Sequence, residues 1–232
     1  MLWAAGYTTS HLKDGEVHAF VRERLGVERL SRREAKRLRA SAFAFAIVRD
    51  PVDRAVSAYI DKFIRQDAMN LHAKGVIEAV RFGRRVRLTR RERFEAGGQW
   101  LEKRCDPRID YRAGVSFAEF VSYLESTPNE RLDDHYRPQA DYLRLSGLRF
   151  QRLIPFTQFH DGIAHVAAMH GINVWIPDRP QAEPRLESSR ELAAVRSGEI
   201  RSMGALPSTD SLVTPALRER VSRRFAVDGD LV

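Results

Sequence analysis

The segment that most constrains the fold is Ala42-Phe43-Ala44-Phe45-Ala46-Ile47-Val48, an unbroken apolar run met at once by Arg49-Asp50-Pro51. A short run without alternation fits a strand buried on both faces, as in a parallel sheet. Asp50 is suited to cap a helix, and Pro51 to stand in its first turn. Val52, Val56, Tyr59 and Phe63 then recur at spacings of four, three and four, which makes one apolar helix face. Residues 42–63 therefore read as strand, tight turn, helix. Ligands of open α/β sheets sit beyond the carboxyl ends of the strands. The helix N-terminus that follows offers N–H groups and a positive dipole end to an anion. Arg49 lies at that strand end, and Arg54 and Ser57, three residues apart, share a helix face. An arginine fork, a hydroxyl and a helix N-terminus together make a cradle for a phosphate.

Weaker patterns flank this segment. Ser31-Arg32-Arg33-Glu34 reads as a capping box that opens a short basic helix, and Ser116-Phe117-Ala118-Glu119 as a second one. Phe117, Phe120, Val121 and Leu124 then predict an amphipathic helix to about Ser126. Residues 66–110 show little periodicity. Their arginine run, seven between Arg81 and Arg93 against the single acid Glu92, reads as a solvated loop or irregular helix. Leu153-Ile154-Pro155-Phe156 suggests a second short strand, its proline at an edge or strand end. Residues 161–170 form a predicted helix stopped by Gly171, residues 176–189 a proline-containing loop, and Thr214-Pro215 the start of a last helix to about Phe225. Strands alternating with helices argue for an α/β sheet in a single domain over residues 1–232.

Composition narrows the partners. The formal net charge is +8, which favours an anion: nucleic acid, acidic lipid, acidic glycan or a phosphorylated cofactor. Arginine-rich surfaces also follow from GC-rich coding DNA, and the run from Arg81 is either such a surface or an attractor for an acidic glycan. No stretch approaches 18 consecutive apolar residues, so no membrane span is expected. The apolar first residues lack the basic start and long core of a signal peptide. The single cysteine, Cys105, allows no intrachain disulfide and suits a reducing, cytoplasmic setting. One cysteine and scattered histidines offer no metal-ligand spacing, so no metal is expected.

The stretch from Phe45 to Phe63, with Val48-Arg49-Asp50-Pro51, Arg54, Ser57-Ala58-Tyr59 and Lys62-Phe63, resembles the 3′-phosphate-binding signature of the carbohydrate sulfotransferases of the chondroitin and dermatan type and their bacterial relatives. Asp134-His135-Tyr136-Arg137-Pro138-Gln139 resembles their His-aromatic-x-Pro motif, and Ala226-Val227-Asp228 their closing helix. The likeness covers most of residues 8–228. It implies a P-loop-like α/β fold with a central parallel sheet flanked by helices. It also implies PAPS (3′-phosphoadenosine 5′-phosphosulfate) as co-substrate and a hydroxyl of a carbohydrate or similar compound as acceptor. In that family the first arginine and the serine bind the 3′-phosphate, a role that falls on Arg49 and Ser57, with Arg54 bracing the site or the helix. A histidine between the 5′-phosphosulfate loop and this signature often serves as base there, which points first to His11. His135, in the acceptor-side motif, comes second.

Two features depart from the family. The Pro-Lys-x-Gly/Ala-x-Thr/Ser loop that holds the phosphosulfate, and the strand before it, are not found ahead of Arg49; Lys13-Asp14-Gly15 follows no strand. Either the segment carrying them lies upstream of this chain, and with it any membrane attachment, or this is a shortened, inactive copy. The cysteines of animal members are also missing, Ala140-Asp141-Tyr142-Leu143 standing in their place. Two other readings stay open: a non-catalytic sulfotransferase remnant that binds a nucleotide or a partner, and a basic nucleic-acid-binding module. The latter rests on charge alone, without a recognisable DNA- or RNA-binding signature.

Overall fold

A computed structural model describes residues 43–66, 71–83, 108–133, 135–146, 149–171, 185–186 and 190–231. They group into two compact units, one with residues 43–49 and 142–171 and one with residues 50–141 and 185–231. The basic helix expected after Ser31, Cys105, and the arginine run beyond Arg81 lie outside the described residues.

In the first unit β1 (Phe45–Val48) pairs in parallel with β2 (Arg152–Pro155), Phe45 opposite Arg152 and Val48 opposite Pro155. One more backbone bond, Gln151 N–H to the Ala44 carbonyl at 2.8 Å, extends the ladder. Pro155, with no N–H to donate, closes β2 as its position predicts. The apolar run falls short of the expected burial: Phe45, Ala46 and Ile47 are half-buried and only Val48 is buried. Among the described residues β1 has one neighbouring strand. Helix α5 (Phe159–Met169) packs Ile163 and Val166 against Ile154 of β2, with Phe43, Phe45, Ile47 and Phe159 around them. That contact requires glycine at 162, because a Cβ there would fall inside the Ile154 side chain. Gly171, at φ +63°, follows the helix end, a conformation that favours glycine. The His170 ring lies 4.7 Å from that of Phe43, a packing role.

In the second unit α1 (Pro51–Tyr59) begins as the sequence predicts and runs on as a π-helical stretch, Ile60–Arg65. Val52, Val56, Tyr59 and Phe63, the expected apolar face, are all buried. Tyr59 is their centre. Its ring lies 5.3 Å from those of Phe63 and Phe117 and 5.8 Å from Phe120, and its hydroxyl donates to the Val115 carbonyl at 2.9 Å. Phe117 and Phe120 belong to α3 (Phe117–Ser126), whose capping box forms in full: Ser116 Oγ accepts from Glu119 N–H and Glu119 accepts from Ser116 N–H. Helix α8 (Pro215–Arg224), capped by Thr214, packs on both α1 and α3.

One helix lies where the sequence shows little periodicity. Residues 71–82 form α2 (Leu71–Phe82). Ala73, Val76 and Ile77 are buried, and so are Lys74 and Glu78. The two charges pair one turn apart, and the Tyr111 hydroxyl donates to Glu78 at 2.7 Å. Charged residues on the buried face erase the apolar period by which such a helix is recognised. The remaining helices are short: α4 (Gln139–Ser146), α6 (Ser197–Ser202), α7 (Thr209–Leu212) and α9 (Ala226–Gly229). No helix among the described residues is long and apolar enough to cross a membrane.

Gly162→Ala should destabilise the chain by about 1–3 kcal/mol in urea denaturation, the usual cost of overpacking a helix–strand contact. Tyr59→Phe should cost about 1 kcal/mol, the value of one buried hydrogen bond. Burial, aided by the Glu119 carboxylate, pushes the Tyr59 phenol well above its ordinary value. A phenol raised on folding stabilises the native state fully below its unfolded pKa and loses that contribution as pH rises past it. The stability gap between the native chain and Tyr59→Phe should therefore narrow above about pH 10.

Candidate functional site

Parallel strands end on the same side, so Arg49, just after β1, and Phe156, just after β2, both stand at the carboxyl edge of the sheet. The Arg49 guanidinium lies over the Phe156 ring, 3.8 Å from its centroid. Such a contact contributes about 0.5–2 kcal/mol and fixes the plane of the guanidinium. Phe156 is a functional candidate that the sequence reading passed over; its only signal there is its place at the end of a strand.

The start of α1 is arranged differently from the sequence expectation. Pro51 has no N–H. The N–H groups of Val52 and Asp53 are both taken by Asp50 Oδ1, at 2.9 and 3.0 Å, and that of Arg54 by the Asp50 carbonyl at 2.9 Å. The helix N-terminus is thus satisfied by its own cap, and a carboxylate stands where an anion was expected.

Arg54 is held within the second unit. It donates to the Arg137 carbonyl and lies 3.6 Å from the Asp228 carboxylate. Asp228 is fully buried and also accepts from the N–H groups of Gln139 and Ala140, both at 2.8 Å, which caps α4. Arg137 donates to the Asn129 carbonyl at 3.1 Å, and Tyr136 packs edge-on against Phe120, ring centroids 5.1 Å apart. Residues 136–140 and 228 are therefore a structural joint, and Arg54 braces it. Ser57 sits half-buried in the last turn of α1. A cleft of about 10 Å³, lined by Arg54, Ala58, Phe120, His135, Tyr136 and Phe225 among others, has room for roughly one water and none for a nucleotide.

Of the two candidate bases, His11 lies outside the described residues. His135 is partly exposed, and its Nδ1 lies 2.6 Å from Asp133 Oδ1. The other oxygen of Asp133 faces His72 Nδ1 at 2.9 Å, and the two imidazoles meet edge-on, centroids 4.4 Å apart. Burial alone would raise the Asp133 carboxyl; hydrogen bonds from His135 and His72 outweigh it and hold the group well below the usual carboxylate range. Neither His72 nor Asp133 was singled out by sequence, because 61 residues separate them.

Comparison with known proteins agrees with the pattern around Arg49. The model of the sulfotransferase family matches residues 8–229, and the chain belongs to that family. No curated protein and no solved structure matches it. Membership of that family suggests sulfonyl transfer, and the small parallel sheet with its helices is compatible with the α/β fold of such enzymes.

Asp228→Ala should destabilise the second unit by about 3–5 kcal/mol, because it removes the ion-pair partner of Arg54 and the acceptor of two half-buried N–H groups. Asp228→Asn, which keeps the size and one acceptor oxygen, should cost less. Urea midpoints of the two variants check the order.

Proposed function

We propose that the chain moves a sulfonate from PAPS to a hydroxyl of a carbohydrate or similar polar acceptor. The observation that carries this reading is Arg49, set on Phe156 at the carboxyl edge of parallel strands, inside the motif Arg49-Asp50-Pro51…Ser57 of a sulfotransferase-family chain. Arg49 and Ser57 take the 3′-phosphate: the guanidinium by charge-assisted hydrogen bonds, the hydroxyl as a further donor. Arg54 stays with Asp228 and the Arg137 carbonyl and supports the helix from behind.

In the reaction an acceptor oxygen attacks the sulfur, the bond from sulfur to the 5′-phosphate oxygen breaks, and the phosphate leaves with the electron pair. A base takes the acceptor proton, and positive groups stabilise the charge that grows on the leaving phosphate. We assign the base to His11, by its place ahead of the 3′-phosphate motif. A histidine suits that work near neutral pH.

Calorimetric titration with adenosine 3′,5′-bisphosphate tests the 3′-phosphate site by itself. The chain should bind the bisphosphate in preference to ATP. Arg49→Ala should weaken binding by about 1.5–3 kcal/mol, the scale of a hydrogen bond to a charged group, which is roughly ten- to hundredfold in Kd. Equal affinity in a folded Arg49→Ala chain would remove Arg49 from the site.

A further inference from the structure

His72, at the start of α2, and Asp133 and His135, on the turn before α4, come together in the second unit from two distant stretches of chain. One donor atom from each lies within 4.8 Å of the other two. The two Nδ1 atoms approach different oxygens of the same carboxylate, at 2.9 and 2.6 Å. We propose that His72, Asp133 and His135 form a binding site for a divalent transition-metal ion, zinc first among them, with two imidazole nitrogens and one carboxylate oxygen as ligands.

The distances suit such an ion. Zinc stands about 2.0–2.2 Å from imidazole nitrogen and carboxylate oxygen, which sets tetrahedral ligands about 3.3 Å apart. The present N···O separations are hydrogen bonds and are shorter than this. An ion held by one Asp133 oxygen replaces the bonded proton of one pair and opens it by less than about 1 Å, and the other imidazole, now within 4.8 Å of the other two ligand atoms, turns from its own oxygen to the ion. The side chains have room to move, being 33 %, 33 % and 44 % exposed for His72, Asp133 and His135. Each imidazole that ligates through Nδ1 keeps its remaining proton on Nε2. Asp133 is already ionised.

The donor set also selects the class of ion. Two nitrogens and one oxygen suit zinc and its neighbours, whereas calcium and magnesium seek shells of oxygen. A chain of net charge +8 does not gather hard cations by its field, so the ion must be held by bonds to nitrogen. With three protein ligands the fourth position is left to water. The bound ion ties α2 to the turn that leads into α4, and His135, as a ligand, leaves the acceptor proton to His11.

The test uses the whole chain, stripped with a chelator and titrated with zinc chloride by calorimetry and with cobalt(II) by visible absorption. The expected result is one ion per chain, the absorption of tetrahedral cobalt, and a higher Tm with zinc but not with magnesium. His72→Ala and Asp133→Asn should each weaken binding by at least about tenfold, and His165→Ala, on the other unit, should leave it unchanged. Asp133→Asn keeps the shape of the side chain, so it decides the matter if His72→Ala does not fold, as circular dichroism will tell. No uptake by the native chain, or uptake that survives in folded Asp133→Asn, overturns the proposal. Bisphosphate binding, measured on the same samples, is independent of either outcome.

Discussion

The buried carboxylate of Asp228 is the interaction on which the second unit depends. A fully buried charge is tolerable only with compensation on its oxygens, and Asp228 has three partners from two other segments: the first N–H groups of α4 and the guanidinium of Arg54. One side chain near the end of the chain thus fixes where α4 starts and which way Arg54 turns. Arg54 in turn grips the Arg137 carbonyl, and Arg137 closes on the carbonyl of Asn129. The helix that carries Ser57 is therefore seated by a polar relay on one side and by the aromatic cluster around Tyr59 on the other.

Arginine does much of this joining. Arg201 donates to the carbonyls of Phe63, near the end of the π-helical stretch, and of Arg112, in a turn, and Arg224 to those of Leu124 and Thr127, at the end of α3. Arg81, first of the basic run, meets Glu119 and the Gly114 carbonyl. A guanidinium has five donors in a fixed fork and keeps its charge when half-buried, which suits it to carbonyls from separate segments. Part of the basic excess that composition assigns to anionic partners therefore serves the fold itself. Net charge counts such groups without distinguishing an arginine facing solvent from one facing a carbonyl.

The same limit explains which elements were legible beforehand. The start of α1, the capping box of α3, the cap of α8 and the stop at Gly171 rest on contacts within four residues, and local chemistry decides them. Helix α2 was not legible, since Lys74 and Glu78 are buried there as a pair that Tyr111 completes from 33 residues away. The anion site expected at the head of α1 was half legible. Asp50 was read correctly as a cap, and the same capping bonds remove the N–H groups that an anion would need.

By itself the sequence determined the family and the strand–turn–helix around Arg49-Asp50-Pro51, because these reside in contiguous stretches whose spacing is their chemistry. Only the tertiary structure decided that Arg49 rests on Phe156, that Asp228 is a hub, and that His72 joins Asp133 and His135. Each of these joins residues at least 61 positions apart, and their approach depends on how helices and strands pack. Packing is settled by burial and by the pairing of buried polar groups, and no local pattern records it.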